Sequence, residues 1–241
     1  MRIPASFLLV LAVPLFAQDE RRVASPDGQI EFRVAMAQPE PGALFQLAYQ
    51  VFYHGKTLLA TSFLGLDIHN QEPILGANLG LTSSKLESSK QYNSLTAEYM
   101  QNGSLGRRLN VEVRVYNDGI AFRYRVPRSV PLDEILLDHE ATEFSFAQDV
   151  DPQIPLALPL VTEQRGLGWV KISEVPLPNY PRMSLKRADE RTVISSLAAK
   201  RDSPTVLETT APLVSPWRIV VIGSSAEKLN DSKIVGSLGG R

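Results

Sequence analysis

"RVYNDGIAFRYRV", residues 114–126, is the stretch that decides the fold. Leu109, Val111, Val113 and Val115 alternate with polar residues into its first positions, and Ile120, Phe122, Tyr124 and Val126 alternate with alanine and arginine within it. Period two is the strand period, because successive side chains on a strand point to opposite faces. Between the two runs Asn117, Asp118 and Gly119 are residue types that tolerate positive φ. The segment therefore predicts a β-hairpin with one apolar face and one face bearing Arg114, Arg123 and Arg125. That arginine face is expected to be solvated or to lie at a domain interface.

Working outward, the same period recurs. Ile30, Phe32, Val34 and Met36 predict a strand after the turn chemistry of "SPDGQ" at 25–29, and Phe45, Leu47, Tyr49, Val51 and Tyr53 predict another that His54-Gly55 ends. Further strands are expected at 62–69, 94–101, 142–146, 169–173, 191–197 and 217–223. One short surface helix is expected in "SAEKLNDSKIV" at 225–235, with serines as caps. The proline-rich "DVDPQIPLALPLV" at 149–161 cannot be a central strand, since each proline removes a ladder donor; it reads as a surface crossing. Many short strands punctuated by Gly, Pro, Asn and Asp, without an internal repeat, predict an all-β sandwich or barrel with few short helices.

Composition narrows the class. "MRIPASFLLVLAVPLFA" has one arginine, then fifteen uncharged, mostly apolar positions ending in small Ala17 before "QDERR". This is the pattern of a secretory signal peptide over residues 1–17, too short to span a bilayer, with cleavage expected after Ala17. Residues 18–24 are expected to be a flexible N-terminus and 25–241 the folded domain. Loss of Arg2 with the leader leaves 24 basic against 26 acidic residues, a net charge of −2 that argues against nucleic-acid or anionic-membrane partners. Absence of cysteine excludes disulfides and a lipid-anchored lipoprotein. A mature chain of 224 residues, burying roughly 70% of its unfolded surface, is expected in the periplasm or secreted.

Candidate chemistry is sparse. His54, His69 and His139 lack partners at metal-ligand spacing. "DHE" at 138–140 reads as a solvated turn, in which Asp138 and Glu140 both stay ionised. Asp149 and Asp151 resemble the start of a calcium loop but lack its glycine and terminal glutamate. Phosphate loops and a nucleophile elbow are absent. Trp169, Tyr180 and Trp217 are of the types that serve either as sugar-stacking platforms or as core.

Seven segments in order carry a resemblance: "SPDG" at 25–28, "YQVFYHGK" at 49–56, "SFLGL" at 62–66, "RVYNDGIAFRYRVP" at 114–127, "TEFSF" at 142–146, "ISE…NYPRMSL" from 172 to 185, and "SPWRIVVIG" at 215–223. Together they resemble the N-terminal domain of glycoside hydrolase family 97. The resemblance implies a large β-super-sandwich of the galactose-mutarotase type, packed in the family against a (β/α)8 barrel that acts on α-glucosides or α-galactosides by inversion or retention. It also implies calcium at the domain junction. By resemblance Glu174, in "KISEVPLPNY", is the glutamate this domain offers to calcium, or else a cap on a solvent-facing strand end; Glu163, in "VTEQRG", is a second candidate for the same neighbourhood. A calcium site needs six to eight oxygens, so these two cannot complete one. At 147–161 the family's longer insertion, which contributes to the substrate cleft, is replaced by the short crossing.

Glycosidase chemistry needs two positioned carboxyl groups, which in the family come from the barrel. The chain by itself is therefore expected to be non-catalytic. Two functions follow as expectations: a carbohydrate-active module supporting a barrel absent from this chain, or a free-standing periplasmic carbohydrate-binding or structural protein. A chain that packs on a barrel is further expected to expose an apolar patch of more than a few hundred Å2, with self-association as a consequence.

Overall fold

A computed structural model describes residues 19–103, 106–129, 132–198 and 203–239. The expected leader, 1–17, and the expected new N-terminus at Gln18 lie outside the described residues. Strands β1 (Arg21–Ala24), β2 (Ile30–Ala37), β3 (Gln46–Tyr53) and β4 (Lys56–Phe63) form an antiparallel meander. After the short β5 (Leu66–Ile68) comes a second meander, β6 (Leu79–Ser88), β7 (Tyr92–Gln101), β8 (Arg108–Tyr116) and β9 (Gly119–Val126). The chain continues through β10 (Glu134–Glu140) and β11 (Glu143–Ser145) to the hairpin of β12 (Leu160–Gln164) and β13 (Gly168–Val175). It ends with β14 (Met183–Arg187), β15 (Thr192–Leu197), β16 (Leu207–Thr210), β17 (Leu213–Val214) and β18 (Trp217–Gly223).

The larger sheet has the order β12-β13-β18-β9-β8-β7-β6, with β17 beside β18 along β9. Opposite it, β1-β2-β3-β4 runs on into β11-β15-β14 through the Leu59–Phe146 bridge, and a small sheet β16-β10-β5 closes one end. The inward faces interdigitate as one core. Phe32 and Tyr49 stack at 5.3 Å, and Phe122 of the larger sheet meets Tyr49 at 5.0 Å and Phe144 at 6.3 Å. This is the large all-β sandwich that the alternating runs predict. Among the described residues no helix is long and apolar enough to cross a membrane.

The opening hairpin forms with Tyr116 opposite Gly119, but only Gly119 of the three turn residues takes positive φ, 153°. Its glycine is required because a Cβ would collide with the Val220 carbonyl oxygen of β18 and lie 2.9 Å from Val221 Cα.

Several expectations are corrected. Segment 18–24 is not a loose end throughout: Arg21–Ala24 pairs with β2, and Val23 is buried in the main core. The run 62–69 is two strands, broken at Leu64-Gly65, where the chain leaves one sheet for another and Gly65 lies beneath Ile74. "DHE" belongs to β10 rather than a turn, so Asp138 and Glu140 are not two solvated carboxylates: Glu140 is wholly buried. The helix expected at 225–235 splits into a 3-10 turn (Lys228–Asn230) and α1 (Ile234–Leu238). Leu229 and Ile234 both bury on the outer face of the larger sheet. In one continuous helix, residues five apart point about 140° away from each other, so the break is what lets both reach it. The proline-rich crossing has no strand before Leu160, where β12 starts as the sheet's outermost strand.

Candidate functional site

β18 reads as a continuous apolar run except for Arg218. Its partner in register is Phe122 on β9, and its side chain is fully buried while Trp217 and Ile219 join the outer cluster. Nε and Nη2 donate to the two oxygens of Glu140, at the end of β10, at 2.8 and 2.6 Å. Nη1 donates to Glu174 Oε2, on β13, at 2.5 Å. Glu140 also accepts from Thr142 Oγ1 and from the Tyr180 hydroxyl, each at 2.8 Å, and Tyr124 shares a 2.7 Å bond with Thr142. Glu174 reaches the surface through Arg182, 3.7 Å away and largely exposed.

Burial by itself would push Glu140 upward; the charge of Arg218 and the donors around it override this and hold the carboxyl below its usual range. Burial likewise disfavours the Arg218 cation, but Glu140 and Glu174 hold its proton more tightly than usual. Burial, then the charge of Glu140, raises the Tyr180 and Tyr124 phenols well above their ordinary value, so both act as neutral donors. A carboxylate saturated with donors and sealed from solvent has no proton to give and no access to a substrate. The cluster is an ionic clamp joining β10, β13 and β18, and a bidentate guanidinium–carboxylate pair suits that role.

Glu174 and Glu163 are not brought together. Glu163 is exposed on β12 opposite Trp169, whereas Glu174 lies five positions further along β13. That is about 16 Å at strand rise, and an odd spacing places the two on opposite faces. Glu174 also accepts the Met183 N–H at 3.3 Å on both oxygens, so it closes off the start of β14 rather than capping a solvent-facing strand end. Among the described residues no three acidic or histidine side chains converge as a metal site. With a guanidinium against Oε2 and the Met183 N–H and Arg182 facing Oε1, Glu174 does not fit a calcium site on its own.

The remaining candidates are spread out. His69 contacts Asp138 at 3.0 Å and His139 contacts Asp67 at 3.1 Å, on the exposed side of the β5–β10 ribbon. Tyr180 and Trp217 are buried. The arginine face is internally paired: Glu112 accepts from Arg123 and Arg125 at 2.7 and 2.8 Å, and Arg114 lies between the rings of Tyr92 and Trp217 at 4.7 and 5.0 Å. Trp169 lines an open cleft, of about 870 Å3, between the 147–154 crossing and the β12–β13 hairpin, and the edge of Tyr180 lines another, of about 680 Å3, beside Pro178, Arg182 and Leu207. Glu163, Asp149, Asp151, Arg165 and Arg191 form the rim of the first. Arg218 and Glu140 were missed by motif reasoning, although an arginine inside an unbroken apolar strand is a readable sign of a buried partner.

A family model described as "Glycosyl-hydrolase 97 N-terminal" matches residues 23–155 and 149–239. The chain belongs to this family. As a GH97 N-terminal chain it is 22% identical to a retaining alpha-galactosidase of Bacteroides thetaiotaomicron, an alignment covering 97% of this chain and 44% of that protein. Its fold matches a Glycoside Hydrolase Family 97 enzyme of Pseudoalteromonas sp. strain K8 with a TM-score of 0.80 at 21% identity, covering 90% of this chain and 38% of the other. Structures of that enzyme include complexes with panose and with acarbose. A beta-arabinopyranosidase matches with a TM-score of 0.71 at 20% identity, covering 85% and 40%. The GH97 N-terminal chain thus spans less than half the length of these relatives.

Proposed function

We propose that this chain is an exported β-sandwich module that supports α-glycoside hydrolysis by a (β/α)8 barrel outside it. The observation that carries this reading is the family match along the described chain, set against relatives more than twice as long. The buried clamp supports it, because Arg218 is neutralised inward by Glu140 while Glu174 and Arg182 extend the same charge chain to the surface. A calcium ion enters this reading only with oxygens from elsewhere, Glu174 contributing one of six or more.

The test is hydrolysis of aryl α-glucosides and α-galactosides by the mature chain, with and without calcium, beside a variant carrying Glu163→Gln and Glu174→Gln. The expected result is no turnover above that variant. Calcium-dependent turnover that the variant loses would overturn the reading. Export has its own check: the intact mass of the native protein should begin at Gln18, and retention of Met1 would refute it.

A further inference from the structure

The ribbon of β5 and β10 carries His69, His139, Asp67 and Asp138 on the face opposite to buried Glu140. We propose that His69 and His139 form a two-imidazole site for a borderline divalent transition ion, of the class of Zn2+, Cu2+ and Ni2+, with Asp138 and Asp67 orienting the rings. The inference goes beyond a supporting role for a barrel and is separate from the oxygen-bound calcium weighed for Glu174.

Three observations carry it. The first is that all four side chains share one face. Asp67 and His69 are two positions apart and so lie on one side of the chain, while Leu66 and Ile68 turn into the core. His139 pairs with Asp67 in register, and the bulge between Leu137 and His139 turns Asp138 outward as well, where it meets His69. Without the bulge, adjacent Asp138 and His139 would face opposite sides. Bulges recur where a strand has to re-aim a side chain.

The second is the state of the rings. His69 Nδ1 lies 3.0 Å from both Asp138 oxygens, and His139 Nδ1 lies 3.1 Å from Asp67 Oδ2. A carboxylate can only accept, so Nδ1 carries the hydrogen in both rings, and each neutral imidazole has its lone pair on Nε2. Among the described residues neither Nε2 has a hydrogen-bond partner. A carboxylate behind the ring is the common support of a metal-bound histidine, since it fixes the tautomer and raises the basicity of the ligand nitrogen.

The third is spacing and access. His69 is the diagonal neighbour of His139 across the ribbon, a relation that sets the two positions about 7–8 Å apart. Each ring meets a carboxylate of the opposite strand, so both overhang the groove between β5 and β10. The two side chains are 32% and 53% exposed, which lets an ion enter with its remaining waters. Imidazole nitrogen suits Zn2+, Cu2+ and Ni2+, whereas Ca2+ takes oxygen ligands.

The experiment is a Zn2+ titration of the untagged mature protein, following the imidazole C–H cross-peaks of its three histidines by 1H–13C NMR. We expect the His69 and His139 peaks to move together and saturate at one ion per chain, while the His54 peak stays in place. His69→Gln and His139→Gln should each weaken binding by about tenfold or more, because a chelate becomes a single ligand. Asp138→Ala should weaken it by about tenfold, and Asp138→Asn, whose amide oxygen still accepts from Nδ1–H, should restore most of the affinity. These side chains reach solvent, so the variants report on binding rather than on folding. Cu2+ should displace Zn2+ and an equal concentration of Ca2+ should not. No saturable movement of the His69 and His139 peaks up to about 1 mM Zn2+ would overturn the proposal. So would wild-type binding by either histidine variant or by Asp138→Ala, or displacement of Zn2+ by Ca2+.

Discussion

Arg218 occupies a position where every neighbour along the strand is apolar, and its worth lies in the two carboxylates it neutralises. Removing one partner of a buried pair leaves an uncompensated charge, so Arg218→Met should destabilise the protein by about 3–5 kcal/mol in urea unfolding. Pairing it with Glu140→Leu should recover a large part of that loss, because the orphaned carboxylate is removed too. Glu140 also gives the stability a pH dependence. Its folded carboxyl is held below the unfolded value of about 4.3, so its contribution is fully present above that value and is lost as pH falls through the lower folded one. The urea midpoint should therefore drop on acidification below about pH 4, and Glu140→Gln should flatten that slope. An unchanged slope in Glu140→Gln would contradict the assignment.

At the level of elements, the hairpin that first pointed to the fold also has its most constrained residue. Gly119→Ala places a methyl against the Val220 carbonyl and demands φ near 153° from an L-residue. We expect a loss of about 3 kcal/mol or more, seen as a lower thermal midpoint, because the neighbour is backbone and cannot yield. Strands that bury one face alternate visibly, which is why β2, β3, β7, β8, β9 and β13 were legible in the residues alone. β6 was not: Thr82–Ser88 is exposed on both faces, so no period marks it. β10 was hidden by its bulge between Leu137 and His139, which breaks the alternation and sets Glu140 inward where "DHE" suggests water. The clamp was beyond reach for a different reason. Glu140, Glu174 and Arg218 lie tens of residues apart and meet only because β13 pairs with β18 in the larger sheet while β10, of the small sheet, brings Glu140 against that pair. Trp169 could be named as a platform candidate, but its opening into a cleft depends on where the crossing passes.

For the molecule as a whole, few large apolar side chains are exposed among the described residues. Among the described residues the large exposed apolar side chains are Leu44, Leu86, Met100, Leu177 and Val235, each on a different segment of the chain. Edge strand β6 carries the Lys85–Glu87 pair, a charged border of the kind that discourages edge-to-edge pairing. The apolar patch and self-association expected of a barrel-packing chain therefore do not follow, and light scattering should report a monomer across a wide concentration range. Concentration-dependent growth would contradict this. A barrel partner would have to meet polar surface, as domains sharing one chain commonly do. The position of β18 has a consequence for the order in which the protein is made. At about 5–20 residues per second, a ribosome spends roughly ten seconds or more between releasing β1 and releasing residues 217–223. Through that interval β9 and β13 each lack their shared neighbour, and Glu140 and Glu174 have no cation between them. The nascent chain therefore cannot close its larger sheet strand by strand as it emerges, and closure waits until β18 has been released.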